Sequence, residues 1–270
     1  MEKESKKIEN VEIEPRGSYF EVDEEGYLIN PASEEKIQEK WRPVIDDVVE
    51  LYKDAYGDKL KQVYIRGSVA KGEAVENVSD IDTFAIVDLS KEDLNVAKEI
   101  KDARKELEQK YPFVNGIEFE PRLKSNFNKN DIILSQSLCI HGEPLETPKR
   151  KPGKEMSIHA SYIKQNLSWI KNFLEKDESE EEIKNACTWV TKVILRTGFE
   201  ITMERSKRYT RDLYKCYETF REYYPEKEEE MREVLHYALN PTSDKEKIRE
   251  IVGGIGQWLL EESKEYFEGK

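Results

Sequence analysis

A chain of 270 residues has room for a buried core and for one or two domains. Its formal net charge of −13 argues against strong nucleic-acid binding, which needs clustered Lys and Arg to neutralise phosphates, and suits a cationic small substrate or plain solubility. No window approaches the roughly 18 apolar residues of a membrane span, and the opening MEKESKKIEN has no apolar run of the signal-peptide kind. Cys139, Cys187 and Cys216 lie far apart with no metal-binding spacing, so they read as reduced, mostly buried thiols of a cytoplasmic protein.

Residues 1–30 are charged and carry Gly17 and Gly26, which predicts an N-terminal extension with a short hairpin over Tyr19 to Leu28. Ser33 is placed to cap a helix whose apolar stripe runs Ile37, Trp41, Val44, Ile45, Val48, Val49 and Tyr52, ending near Tyr56-Gly57. Val63, Tyr64 and Ile65 then form a β-prone run that Gly67-Ser68 breaks. Ile81, Phe84, Ile86 and Val87 make a second run, with Asp80 and Asp82 at its entrance. Strand side chains alternate faces, so the two aspartates point the same way, roughly 7 Å apart. Two carboxylates held like this repel unless a cation sits with them, and oxygen-only ligands suit Mg²⁺. The Gly-Ser loop is suited to an anion, because glycine lets the backbone come close while N–H groups and a hydroxyl donate.

Ser90 is placed to cap a helix running to Lys110, with Leu94, Ala97, Ile100 and Leu107 on its buried side. A strand follows in Phe113 to Leu123, where Ile117 and Phe119 face one side and Glu118 and Glu120 the other. A helical run is expected over Asp131 to Cys139. The segment His141 to Lys154, rich in Pro and Gly, reads as a linker and places a domain boundary there. His141, His159 and His236 read as ordinary structural residues. Beyond the linker only helical stripes remain, beginning at Ile163, Ile183, Tyr214, Met231 and Ile248, with Asp244 able to open the last helix. They predict a bundle of five antiparallel helices. Gly253, Gly254 and Gly256 weaken that last helix, and close packing explains them better than phosphate binding. Arg205, Lys207, Arg208, Arg211 and Lys215 concentrate positive charge at one corner of the bundle.

Gly67-Ser68, an intervening segment with Lys71-Gly72, and then Asp80-Ile81-Asp82 resembles the signature of the polymerase-β-type nucleotidyltransferase superfamily. A catalytic domain followed by a helical one is similar to the antibiotic nucleotidyltransferases, especially the streptomycin/spectinomycin adenylyltransferase type. The resemblance implies an α+β fold: a nucleotidyltransferase domain over 31–145, with a small mixed sheet flanked by helices, then an all-α bundle over 155–270. It implies transfer of a nucleoside monophosphate, most readily AMP from ATP, to a hydroxyl of a small and cationic acceptor such as an aminoglycoside, with release of pyrophosphate. Asp80 and Asp82 would hold Mg²⁺, two ions in all, with a third carboxylate from the next strand. Glu118 is the first choice, because Pro121 marks the end or edge of the strand, and Glu120 is the alternative. Gly67, Ser68 and Lys71 would serve the nucleotide phosphates, with Arg66 and Arg211 as further cations. Arg66 departs from the family pattern, which commonly has an uncharged residue before Gly-Ser. Two other readings stay open: a nucleotidyltransferase-like binding protein of the toxin–antitoxin type, and a transferase acting on tRNA or protein.

Overall fold

The computed structural model describes residues 15–90, 97–128 and 132–269. The chain divides into two compact units. One comprises Glu21–Asp23 and Leu28–Lys149; the other comprises Arg150–Lys270, Glu24–Tyr27 and the described part of Met1–Phe20.

The first unit is built on a four-stranded mixed sheet of order β3-β2-β1-β4, with β1 Leu60–Arg66, β2 Ile81–Val87, β3 Ile117–Leu123 and β4 Ser137–His141. β1 runs antiparallel to β2 and β4, whereas β2 and β3 are parallel. Parallel neighbours need a long crossover, and helix α3 (Ala97–Lys110) lies in that connection. Alternation decides the two faces. Val63, Ile65, Ile81, Ala85, Val87 and Ile117 join one core with helix α1 (Arg42–Tyr56). Tyr64, Phe84 and Ile86 turn to the opposite face, where Leu134 covers them. Being buried on both faces, β2 reads as a near-continuous apolar run once past Asp82.

Three expectations change here. The run ending at Cys139 is not one helix: a 3₁₀ turn over Ile132–Gln136 gives way to β4, whose backbone pairs with β1. Edge pairing overrides the local apolar pattern there, and His141 closes a strand. Ser33 makes no side-chain cap, because two 3₁₀ turns precede α1, which starts only at Arg42. The hairpin over residues 19–28 is a single antiparallel bridge between Val22 and Leu28. The expected packing of Leu94, Ala97 and Ile100 lies outside the described side chains.

The second unit is helical, as its stripes require: α4 Ile158–Leu174, α5 Glu180–Glu200, the single turn α6 Met203–Ser206, α7 Leu213–Tyr223, α8 Glu228–Leu239, α9 Lys245–Ile251 and α10 Gln257–Glu268. Ile163, Leu167, Ile170 and Leu174 meet Val190, Ile194, Phe220, Val234, Ile251 and Leu259 in one core. Ser179 forms a reciprocal capping box with Glu182 at the start of α5, and Asp244 caps α9 by accepting from the N–H groups of Glu246 and Lys247. The fifth stripe is split between α9 and α10 by a π-helical stretch, Val252–Gly256. Of its glycines, Gly256 packs closely: an added Cβ would lie 3.2 Å from Leu167 Cδ2, whereas Gly253 has open space. His159 pairs with buried Glu200 at 2.7 Å, and Glu200 also accepts the Ala160 N–H, so this histidine serves the start of α4.

Candidate active site at the sheet face

β1 ends at Arg66 and turns at once into the five-residue helix α2 (Gly67–Lys71). The turn requires Gly67, whose φ of +74° is disfavoured for other residues. A Cβ added there would also collide with Asp82 Oδ2. The glycine therefore brings the loop against the aspartate-bearing strand. Ser68 follows in the first turn of α2, and among the described residues its hydroxyl has no hydrogen-bond partner. Lys71 ends α2 and is half-buried.

Sheet register assembles the charged groups. Asp82 stands opposite Arg66 on β1 and opposite Glu118 on β3. The Arg66 guanidinium reaches both carboxylates, with Nη2 2.6 Å from Glu118 Oε2 and 3.4 Å from Asp82 Oδ1. Its Nε is buried without a partner. Burial pushes the Asp82 carboxyl up to about 6; Arg66 opposes the rise and neighbouring Glu118 adds to it. Asp80 precedes β2, and its carboxyl is also raised, by burial and then by the charge of Asp82. Glu120 shares the face but is engaged elsewhere. Arg122 grips it with Nε–Oε1 at 3.1 Å and Nη2–Oε2 at 3.0 Å while lying over the Phe84 ring. The structure thus gathers Arg66, Gly67, Asp82 and Glu118, with Asp80 and Ser68 adjoining in the chain.

Beneath the site runs a hydrogen-bonded chain that sequence reading did not anticipate. Buried Thr83 donates to the Glu118 carbonyl at 2.7 Å and meets the Tyr52 hydroxyl at 3.1 Å. That hydroxyl accepts the Glu120 N–H at 3.0 Å, and its ring stacks on Phe119 at 3.7 Å. Helix α1 thereby fixes the stretch of β3 that carries Glu118. Burial raises the Tyr52 hydroxyl well above its ordinary value, which keeps it a neutral hydrogen-bonding group. The available signal was a lone threonine within an apolar strand and a tyrosine ending an apolar stripe.

Among the described residues, no group of three or more His, Cys, Asp or Glu is gathered as metal ligands. The guanidinium of Arg66 stands where Asp82 and Glu118 converge. The donor chemistry still fits a hard divalent cation: the donors are all oxygen, and two carboxylates in register already share one positive charge. Arg211 belongs to the helical unit. Of its basic neighbours, Arg208 is paired with Glu222, Lys215 with Glu218, and Arg205 lies over the rings of Tyr223 and Tyr224.

Residues 42–134 match the family model of the nucleotidyltransferase domain. The match spans β1, α2, β2 and β3. No curated protein matches the sequence. Among solved structures the chain is similar to a spectinomycin adenyltransferase, AAD(9) from Enterococcus faecialis, crystallised with ATP and spectinomycin. That likeness has a TM-score of 0.47 and 14% identity, over 83% of this chain and 99% of the other. Among the described residues, no helix is long and apolar enough to cross a membrane.

Proposed function

We propose that the protein transfers a nucleoside monophosphate, AMP from ATP in the first instance, to a hydroxyl of a small cationic acceptor such as an aminoglycoside. The observation that carries this reading is the register of Asp82 with Glu118 on one sheet face, against the glycine-pinned Gly67-Ser68 turn. The acidity of the chain favours a cationic acceptor over nucleic acid.

In this reading Asp80, Asp82 and Glu118 would hold Mg²⁺, which when bound would supply polarisation of the α-phosphate and ease ionisation of the acceptor hydroxyl. Gly67 lets the backbone approach the phosphates, and the Ser68 hydroxyl donates to a non-bridging oxygen. As the alternative to ligating the metal, Glu118, positioned through Thr83 and Tyr52, would accept the acceptor's proton where the hydroxyl comes within hydrogen-bond reach. Glu120, already neutralised by Arg122, takes no part. The oxygen of the acceptor replaces pyrophosphate on the α-phosphorus, so one phosphoester bond forms as one phosphoanhydride bond breaks.

The test is direct. The protein is incubated with Mg²⁺, each of the four α-labelled nucleoside triphosphates and a panel of aminoglycosides, and pyrophosphate release is followed with transfer of label. Acceptor-dependent release that Asp82→Asn abolishes supports the reading. Absence of transfer to every acceptor, or transfer that survives Asp82→Asn, sinks it.

A further inference from the structure

The sheet has two edges, and only one is defended against a further strand. β3 carries Glu118, Glu120, Pro121 and Arg122, charges and a proline that discourage strand addition. β4, Ser-Leu-Cys-Ile-His, has no Lys, Arg, Asp, Glu or Pro. Asn30 covers its first residue, the side-chain amide donating to the Ser137 carbonyl at 2.8 Å. Beyond that point, among the described residues, the backbones of Leu138 and Ile140 have no partner outside the pairing with β1.

A cavity of about 430 Å³ lies between this edge and α1. Leu138, Cys139, Ile140 and His141 all line it. Successive strand side chains alternate faces, so four consecutive residues reach one space only where it runs along the open side of the strand. Ile45 and Val49 of α1, with Ile37, make an apolar wall. The rim is acidic: Glu34, Asp46 and Glu50 stand against Arg42 and Lys53. Both cations are taken up by carboxylates close in sequence, Lys53 by Glu50 at 2.8 Å and Arg42 by Glu39 at 3.2 Å. Exposed Asp46 makes no hydrogen bond or ion pair among the described residues.

We propose that this edge is a docking site for an extended, basic segment of a partner protein, which adds to the sheet as a fifth strand beside β4. Main-chain bonds to an open edge supply affinity in such complexes, and alternate side chains supply specificity. Here the alternate side chains that turn toward α1 are Lys or Arg. Their aliphatic stems cover Ile45 and Val49 while their charges reach Asp46 and the rest of the acidic rim. A second copy of the chain is disfavoured as the occupant, because it would bring its own acidic rim to the same edge. The proposal concerns binding alone and is independent of the transfer reading.

The full-length protein is titrated into a fluorescein-labelled peptide, Lys-Val-Lys-Val-Lys-Val-Lys with blocked ends, and binding is followed by fluorescence anisotropy. The same peptide with Glu for every Lys, and with Pro for the central Val, are the controls. The lysine peptide should bind. The glutamate peptide should not, and the proline peptide should bind about tenfold more weakly or worse, since it cannot complete the strand bonds. Asp46→Lys should weaken binding of the lysine peptide about three- to tenfold, an effect that shrinks as salt is added. Asp54→Lys, at an exposed carboxylate of α1 outside the cavity, should leave it within about twofold. Both positions are on the surface, so an unchanged Tm shows that the fold is intact. Hydrogen exchange reads the mode of binding: saturating peptide should slow amides within Leu138–His141 by about tenfold or more and leave those of Ile117–Leu123 as they were. No binding of the lysine peptide, equal binding by the two variants, or binding without protection of β4 overturns the proposal. So does a dimer in sedimentation whose β4 amides are already protected, which would give the edge to a second copy.

Discussion

Replacing Arg66 by Gln should tighten Mg²⁺ binding while weakening the metal-free fold. The guanidinium makes a charge-assisted contact of 2.6 Å to Glu118 and a looser one of 3.4 Å to Asp82. A contact of this kind contributes about 1.5–3 kcal/mol when well shielded. Here the side chains of Arg66 and Glu118 are 31% and 41% exposed, so solvent screening brings the pair down to about 1–2 kcal/mol. A divalent ion drawn to the same two carboxylates must first displace that contact. Removing it in advance should therefore improve the Mg²⁺ dissociation constant by about 5- to 30-fold, since 1.4 kcal/mol is one decade. The metal-free Tm should fall by a few degrees. Calorimetric titration with Mg²⁺ in the absence of nucleotide, at pH 8.5 so that Asp82 is ionised, reads the affinity without reference to turnover. Unchanged or weaker Mg²⁺ binding by the Gln variant would refute the idea that Arg66 holds the place of a cation.

Asp82 has its folded-state carboxyl raised to about 6, so the folded chain holds that proton more tightly than the unfolded chain, and metal-free stability should decline as pH rises from about 4 to 6. Asp82→Asn should flatten that slope, gain about 1–2 kcal/mol near neutral pH after allowance for solvent, and abolish transfer; chemical denaturation at pH 4.5 and 7.5 checks the first two. Glu118→Gln should lower turnover by about 10²-fold or more, with Glu120→Gln near the parent; the opposite ranking in steady-state kinetics would move the third carboxylate along the strand. Tyr52→Phe should destabilise by about 1–3 kcal/mol in urea unfolding, because the Glu120 N–H loses its acceptor. Arg211→Ala should raise the KM for ATP about tenfold or more, an effect that shrinks as salt is added.

Glycine placement and strand alternation made the central turn readable from residues alone. Gly67 could be assigned to a close approach because a β-prone run stops there. What could not be read was that the group approached is Asp82 itself, since that depends on β1 and β2 pairing. Glu118 was preferred over Glu120 because Pro121 suggested the end of a strand, but β3 continues to Leu123. Register separates the two glutamates instead, Glu118 standing opposite Asp82 and Glu120 opposite Phe84. Arg66 looked anomalous in one dimension; only the sheet shows it between two carboxylates. The long helical stripes beyond residue 155 were clear because each buries one face over several turns. β4 was hidden because its apolar run is too short to tell a strand from a turn of helix without its partner.

The parallel pairing of β2 with β3 also bears on how the chain acquires its charged site. β1 and β2 are joined by a short connection and pair antiparallel, whereas β3 must wait for the crossover through α3 to close, and closing a longer loop forfeits more chain entropy. Asp82 and Glu118 are therefore brought together only when that crossover closes. β3 is an edge strand with a single partner, as β4 is at the other edge of the sheet. Local opening at β3 would separate the two carboxylates while the rest of the sheet stays closed, and amide exchange along Ile117–Leu123 should outpace that of β1.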